Sequence, residues 1–253
     1  MKKLINMEDL KKLLRLVLLT GDLKDYPPVS LLIVSKSGNG KTELITSYKK
    51  TSMMFLTDLS YVGLLDELKK NKGLKHILIP DFIKITQKKR STSNHLVSLL
   101  NALMEEGVGK IRVFNSEYDF NNRKIGLITA TTKASFAQNE KSWSSFGFVQ
   151  RMLIISFDYN ENTIKAIMES INKEEFLKNK PDSLIKLGCD VKSEQKFNSQ
   201  LNRYSYSNFR NLKQLQALSK AHALSEMRKE VRQCDIDEII RLTKYMNLRY
   251  TKI

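Results

Sequence analysis

The residues best able to do chemistry stand together near the start of the chain, in Ser35-Lys36-Ser37-Gly38-Asn39-Gly40-Lys41-Thr42. An apolar run from Val29 to Val34 leads into them, and Glu43-Leu44-Ile45-Thr46-Ser47-Tyr48 follows. Strand, glycine-containing loop, Lys-Thr and helix is the order in which backbone N–H groups converge on a chain of phosphates. In such a loop Ser37, Gly38, Asn39 and Gly40 form the cradle, Lys41 reaches the β- and γ-phosphates, and the Thr42 hydroxyl binds Mg²⁺. A nucleoside triphosphate is the expected ligand. The pattern G-x-x-x-x-G-K-[ST] is met except at its first position, where Ser35 replaces glycine; the turn there needs mainly a small side chain.

Further polar residues fall at the ends of predicted strands. Asp81 closes His76-Ile77-Leu78-Ile79, and Thr129, Thr131 and Thr132 close a strand that starts at Gly126. Arg151 opens Met152-Leu153-Ile154-Ile155-Ser156, and Arg210 lies in a later helical part. Lys84, Lys88, Lys89 and Arg90 form the densest basic stretch, with no acid among them. Groups of this kind neutralise phosphates, and binding through them is steeply salt-dependent. His76 and His95 open a strand and a helix and read as structural. Trp143, Phe146 and Phe148 read as packing, in the core or at a subunit interface.

The elements that must position these residues follow from apolar periodicity. A helix is predicted over Met7–Leu19, with Leu10, Leu13, Leu14, Val17 and Leu18 on one face. Tyr26-Pro27-Pro28 leads into a strand over Val29–Ser35, and the loop helix runs to about Lys49. Met53–Leu56 reads as a short buried strand, Leu59–Lys70 as a helix, and His76–Ile79 as a strand. Ser91-Thr92-Ser93-Asn94 offers N-caps for a helix from His95 to about Glu106. Alternating residues on both sides of Asn115-Ser116 predict a β-hairpin. Strands follow at Lys124–Ala130 and Met152–Ser156. Beyond Asp158 the pattern turns helical, with helices over Arg210–Lys229 and Ile236–Met246. Strands alternating with helices imply a mainly parallel sheet covered on both faces, with ligands at the C-terminal strand ends.

The chain has 253 residues, and 43 Lys+Arg against 27 Asp+Glu give a formal charge of +16. That balance favours a polyanionic partner, nucleic acid before membrane. Two cysteines, Cys189 and Cys234, lack metal-site spacing and fit a reducing compartment. No apolar run approaches the ~20 residues of a membrane span. Arg15 interrupts the N-terminal apolar stretch and Glu8 and Asp9 precede it, so it reads as structure and not as a signal peptide. A cytoplasmic protein without membrane contact is expected.

Taken in order, these features resemble those of an AAA+ ATPase: Walker A, Walker B, sensor 1, an arginine finger and a sensor 2 arginine in a helical lid. Within that class the chain is most similar to the motor domain of minichromosome-maintenance replicative helicases and their relatives in mobile elements. LVSLLNALMEEGVGKIRVFNSEYDFNNRKIGLITATT resembles the family's helix, pre-sensor-1 hairpin and sensor 1 strand. FGFVQRMLII resembles its arginine-finger segment, and NFRNLKQLQALSKAHALSEMRKEV its lid helix. The likeness covers about residues 25–248. It implies an α/β P-loop AAA+ core with a five-stranded parallel sheet over residues 1–160, and a C-terminal helical lid over 161–253. It implies ATP and Mg²⁺ between core and lid, with Thr42 and Asp81 at the metal. Lys41, Asp81, Thr132 (or Thr131) as sensor 1, Arg151 as finger and Arg210 as sensor 2 would serve catalysis. Arg151 would act on a neighbouring subunit, so a ring or helical homo-oligomer, a hexamer, is implied. The hairpin, with Lys110, Arg112, Asn115 and Ser116, would join Lys88, Lys89 and Arg90 in contacting single- or double-stranded DNA. Other replication proteins are further implied partners.

Two departures bear on the activity. The family's Walker B ends in Asp-Glu, but here Ile79 is followed by Pro80-Asp81-Phe82. In one alignment Asp81 takes the catalytic glutamate's place, in the other the metal-binding aspartate's, and either way one carboxylate is missing. Asp58 or Asp66 could assist. Sensor 1, normally asparagine, is a threonine. Three readings remain open: a DNA-dependent helicase-like motor, a slowly hydrolysing ATP switch or helicase loader, and an ATPase acting on protein partners alone.

Overall fold

The computed structural model describes residues 6–113, 116–172, 181–185, 187, 190–206 and 208–248. Its centre is a five-stranded sheet in the order β3-β4-β7-β1-β8 with every pairing parallel. The strands are β1 (Leu31–Ser35), β3 (Met53–Phe55), β4 (His76–Ile79), β7 (Gly126–Thr132) and β8 (Leu153–Ser156). β1 is buried along its whole length, as a strand covered on both faces must be. Its alternate side chains serve two cores. Leu31 and Ile33 face one cluster with Leu78, Ile128 and Ile155, and Leu32 and Val34 face the other with Ile77, Ile79 and Ile154.

The first core is closed by α1 (Glu8–Thr20) together with α8 (Gln195–Asn202), α9 (Phe209–Ser225) and α10 (Gln233–Leu242). The residues beyond 160 thus share a core with the N-terminal helix. The second core is closed by α3 (Tyr61–Lys70), α5 (Arg90–Met104) and α6 (Lys133–Ser145). A separate antiparallel hairpin, β5 (Val108–Val113) and β6 (Ser116–Arg123), lies outside the main sheet. The remaining elements are α2 (Lys41–Ile45), α4 (Ile83–Thr86), α7 (Glu161–Asn172) and the two-residue pair β2 (Tyr48–Lys49) and β9 (Asp182–Ser183). In a parallel sheet all C-terminal strand ends lie along one edge, here called the exit end, and all N-terminal ends along the other, the entry end.

Several boundaries differ from expectation. α2 stops at Ile45, because Tyr48 and Lys49 pair with Asp182 and Ser183 and so draw the chain out of the helix. β3 is an edge strand, half-buried with Phe55 exposed, and not a buried one. α5 begins at Arg90 without a side-chain cap, five residues before the predicted start, and Ser91–Asn94 form its first turn. α6 was not expected; its weak amphipathic pattern offers only Phe136 and Trp143 to the core. β9 falls in the region read as lacking strands.

Candidate functional site

The loop after β1 is held open by glycine. Gly38 (φ +80°) and Gly40 (φ +67°) take left-handed conformations that side chains resist. The chain then enters α2 at Lys41. Register brings the next pieces alongside. Ser35 pairs with Thr132 and Val34 with Thr131, while Thr129 pairs with Ile79 just before Asp81. The Thr129 hydroxyl donates to the Ile79 carbonyl at 2.7 Å, tying β7 to β4 where the acid emerges. The result is a cavity of about 290 Å³ at the exit end, lined by residues 37–43, Pro80, Asp81 and Ala130–Thr132.

Ser37, Gly38, Asn39, Gly40, Lys41, Thr42, Asp81 and Thr132 are therefore brought together. Lys41 Nζ donates to the carbonyls of Lys36 (2.7 Å) and Ser35 (3.3 Å). Burial pulls the Lys41 ammonium below its ordinary pKa, and the nearby Asp81 charge opposes that shift. Asn39 Nδ2 is buried with no hydrogen-bond partner among the described residues, and so is Thr131 Oγ1. Buried polar atoms are normally satisfied, so two such atoms at one cavity mark a place where an oxygen-rich ligand could bond.

The threonines divide their roles. Thr132 caps α6: its Oγ1 accepts from Ser135 N–H at 3.1 Å and donates to Ser135 Oγ at 2.9 Å. Its hydroxyl is spoken for, whereas that of Thr131 is not. Asp81 is exposed and accepts from Ile83 N–H at 3.2 Å, the pattern of an Asx turn. Phe82 turns inward, fully buried, stacked on Phe148 at 4.4 Å and edge-on to Trp143 at 5.3 Å. Phe146, by contrast, is half exposed. Of the two acids proposed to assist, Asp58 pairs with Lys88 at 2.7 Å and Asp66 accepts from the Tyr118 hydroxyl at 2.9 Å; neither lines the cavity. Glu43, which sequence reasoning passed over, does line it. Its signal was its place directly after Lys-Thr, on the first turn of α2. Among the described residues no cluster of three or more His, Cys, Asp or Glu could hold a metal by itself, so any cation here would share its ligands with a bound anion.

Arg151 and Arg210 are not at this cavity. Both lie at the entry end, where Arg151 precedes β8 and Arg210 opens α9. There Glu105 binds both, at 2.9 Å from Arg151 Nε and 2.8 Å from Arg210 Nε. Gly147, in a left-handed conformation (φ +69°), makes this possible: a Cβ would lie 2.3 Å from Arg151 Nη1, which donates to the Gly147 carbonyl. The expected placement of a bound nucleotide between the loop and Arg210 of the same chain does not fit, because the two stand at opposite edges of the sheet.

The basic residues are divided as well. Lys110 and Arg112 are exposed but face Glu117 and Asp119 across the hairpin, Arg112 Nε at 3.1 Å from Glu117. Ser116 is exposed at the start of β6, and Asn115 lies outside the described residues. Arg123 donates to the Leu68 and Asn71 carbonyls and so caps the end of α3. Lys88 is paired with Asp58, while Lys84, Lys89 and Arg90 remain exposed. His76 is fully buried, with Nε2 3.3 Å from the Val29 carbonyl, and is structural as expected. Among the described residues no helix is long and apolar enough to cross a membrane.

Comparison with protein-family models finds no matching family, and comparison with curated proteins finds no significant match.

Proposed function

We propose that this chain is an oligomeric P-loop ATPase of the AAA+ kind that acts on DNA, with ATP held at the exit end of one protomer and completed by arginines from the next. The observation that carries this reading is the exit-end cavity. A glycine loop, a lysine, a threonine hydroxyl, an acid and an unpartnered buried hydroxyl meet there at the ends of adjacent parallel strands. The position agrees with the general placement of ligands in open α/β sheets.

The residues present fit a phosphate chain and its cation. Loop N–H groups and Lys41 would hold the phosphates, Lys41 exchanging its two loop carbonyls for phosphate oxygens. Thr42 and Asp81, with Glu43 nearby, would hold Mg²⁺, whose charge would offset that of the β- and γ-oxygens. Thr131 Oγ1 would hydrogen-bond at the γ-phosphate end. Asp81 or Glu43 would orient water. Arg151 and Arg210 cannot serve the loop of their own chain from the entry end, which favours a head-to-tail assembly in which each protomer lends them to a neighbour. The charge of +16 and the exposed Lys84, Lys89 and Arg90 support a polyanion such as DNA.

A slowly hydrolysing ATP switch or loader is the second reading. It is favoured by the burial of Phe82 in the aromatic core, which leaves Asp81 as the one carboxylate after β4 facing the loop. Measuring ATP turnover with and without single- and double-stranded DNA, with the oligomer mass recorded in ATP, separates the two. DNA stimulation, assembly in ATP and loss of turnover in Lys41→Ala are expected for the motor. ATP-dependent assembly with slow turnover indicates the switch. No ATP binding by the parent chain defeats both.

A further inference from the structure

A second cavity, about 610 Å³ against about 290 Å³ for the loop site, lies at the entry end. Its charge is lopsided: among the described residues that line it, Lys124, Arg151, Arg210, Lys213 and Lys220 stand against Asp25 and Glu105. Two of these cations, Arg151 and Arg210, converge on Glu105. Its carboxylate accepts hydrogen bonds from Arg210 Nε at 2.8 Å and Nη2 at 3.2 Å, and forms an ion pair with Arg151, whose Nε lies 2.9 Å away. Glu106 adds a longer contact to Arg151 Nη2 at 3.6 Å. Burial would push the Glu105 carboxyl up, but the Arg210 hydrogen bond and the Arg151 and Lys124 charges outweigh it and hold it below its usual range.

A guanidinium fork accepts a carboxylate or a phosphoryl group with the same geometry. Glu105 thus occupies the place that two phosphoryl oxygens would take. Other features of the cavity suit such a ligand. Gln214 donates to the Arg151 carbonyl at 3.3 Å and so helps to fix the backbone beside the guanidinium. Phe209 stands 65% exposed at the rim beneath Arg210 and Lys213, an open ring face for a heterocycle.

We infer that the entry-end cavity is an anion site whose resident anion is Glu105, and that the phosphoryl end of a nucleotide displaces Glu105 to engage Arg151 and Arg210. The identity of the ligand rests on the proposed function; the anion site does not. At rest Glu105 holds the two arginines together and blocks weaker anions. A polyphosphate, with more charge than one carboxylate, outcompetes it. The nucleotide could be free or carried on the loop of a second copy.

Pyrophosphate binding to the full-length Lys41→Ala chain, followed by calorimetry, tests the site with the loop disabled. Adding Glu105→Gln removes the competing charge and should tighten binding about tenfold. Glu105→Ala should act in the same direction, and Arg151→Ala with Arg210→Ala should abolish binding. If Glu105 only glues the elements together, both Glu105 variants bind pyrophosphate no better than the Lys41→Ala parent, and the inference falls. Binding that survives loss of both arginines also overturns it. The source is read by mixing Lys41→Ala chains with Arg151→Ala/Arg210→Ala chains. Regained ATP turnover assigns the nucleotide of a second copy, whereas tightened binding of free ATP by the Lys41→Ala/Glu105→Gln chain without that regain assigns free nucleotide. Neither response excludes a nucleotide as the ligand. If Lys41→Ala leaves ATP binding intact, the proposed function fails, and the pyrophosphate response still decides the anion site.

Discussion

At the exit end of the sheet the groups turned toward the cavity are mostly backbone and short hydroxyls, set by glycine conformations and strand register. At the entry end they are long charged side chains, held in place by one another. The exit cavity is the smaller of the two, about 290 Å³ against about 610 Å³. Its lysine rests on its own loop carbonyls, whereas the entry-end arginines rest on Glu105. Backbone donors are fixed by the fold and need no counter-charge. Guanidinium groups brought together without an anion would repel, so the entry end carries its own. The difference teaches that one end presents donors fixed by the backbone and the other presents charges held in balance; on the proposed reading the first holds a ligand and the second responds to one.

The largest effect expected from breaking this division concerns the two cations. Lys41→Ala should abolish ATP binding by the chain. Arg151→Ala should leave binding nearly intact and cut turnover by about 10³-fold, the scale of a lost arginine finger. Equilibrium binding of a fluorescent ATP analogue beside steady-state turnover measures both. Equal loss of binding in the two variants would mean that the ends do not divide the work.

A smaller effect separates neighbouring threonines. Thr131→Val should slow turnover by about tenfold or more with stability nearly unchanged, since its buried hydroxyl has no hydrogen-bond partner among the described residues. Thr132→Val should do the reverse, costing about 1 kcal/mol for the lost cap of α6. Urea unfolding of both variants, set beside their rates, sharpens the assignment; a stability loss at Thr131 alone would exchange the roles.

An effect of another kind, read through pH, lies beneath the entry end, where His76 bonds the Val29 carbonyl and packs against Gly126. Burial, with the Lys50 charge adding to it, depresses the imidazole to about 3 from an ordinary 6.5. The unfolded chain therefore takes up a proton near pH 6.5 that the folded chain refuses. Stability from this group is full above pH 6.5 and is lost as pH falls toward 3, by up to about 1.4 kcal/mol per pH unit. Denaturation midpoints between pH 7 and 5, where most carboxylates stay ionised, should drop in the parent and hold steadier in His76→Gln.

Much of the core is legible in the sequence. Val29 to Ser35 read as a strand because the run is almost wholly apolar, and Leu10, Leu13, Leu14, Val17 and Leu18 read as a helix face because they recur at helical spacing. The hairpin was legible from alternation. α6 was not, because Phe136 and Trp143 alone mark its buried side. Nor was the early end of α2, which depends on a strand partner at Asp182 far along the chain. That Glu117 and Asp119 temper Lys110 and Arg112 was legible too; the register adds which acid stands opposite which cation, Glu117 across from Arg112 and Asp119 across from Lys110.

By itself, then, the sequence determined the loop from Ser35 to Thr42, since glycine freedom, a lysine and a hydroxyl act through local geometry. It also determined the alternation of strands and helices, because periodicity is local too. Only the tertiary structure decided which distant residues complete which site. It set Thr131 rather than Thr132 free, placed Glu43 and Asp81 across one cavity, and gathered Arg151 and Arg210 on Glu105 at the far edge of the sheet. Strand order and the choice of face are long-range properties of packing, and no local pattern encodes them.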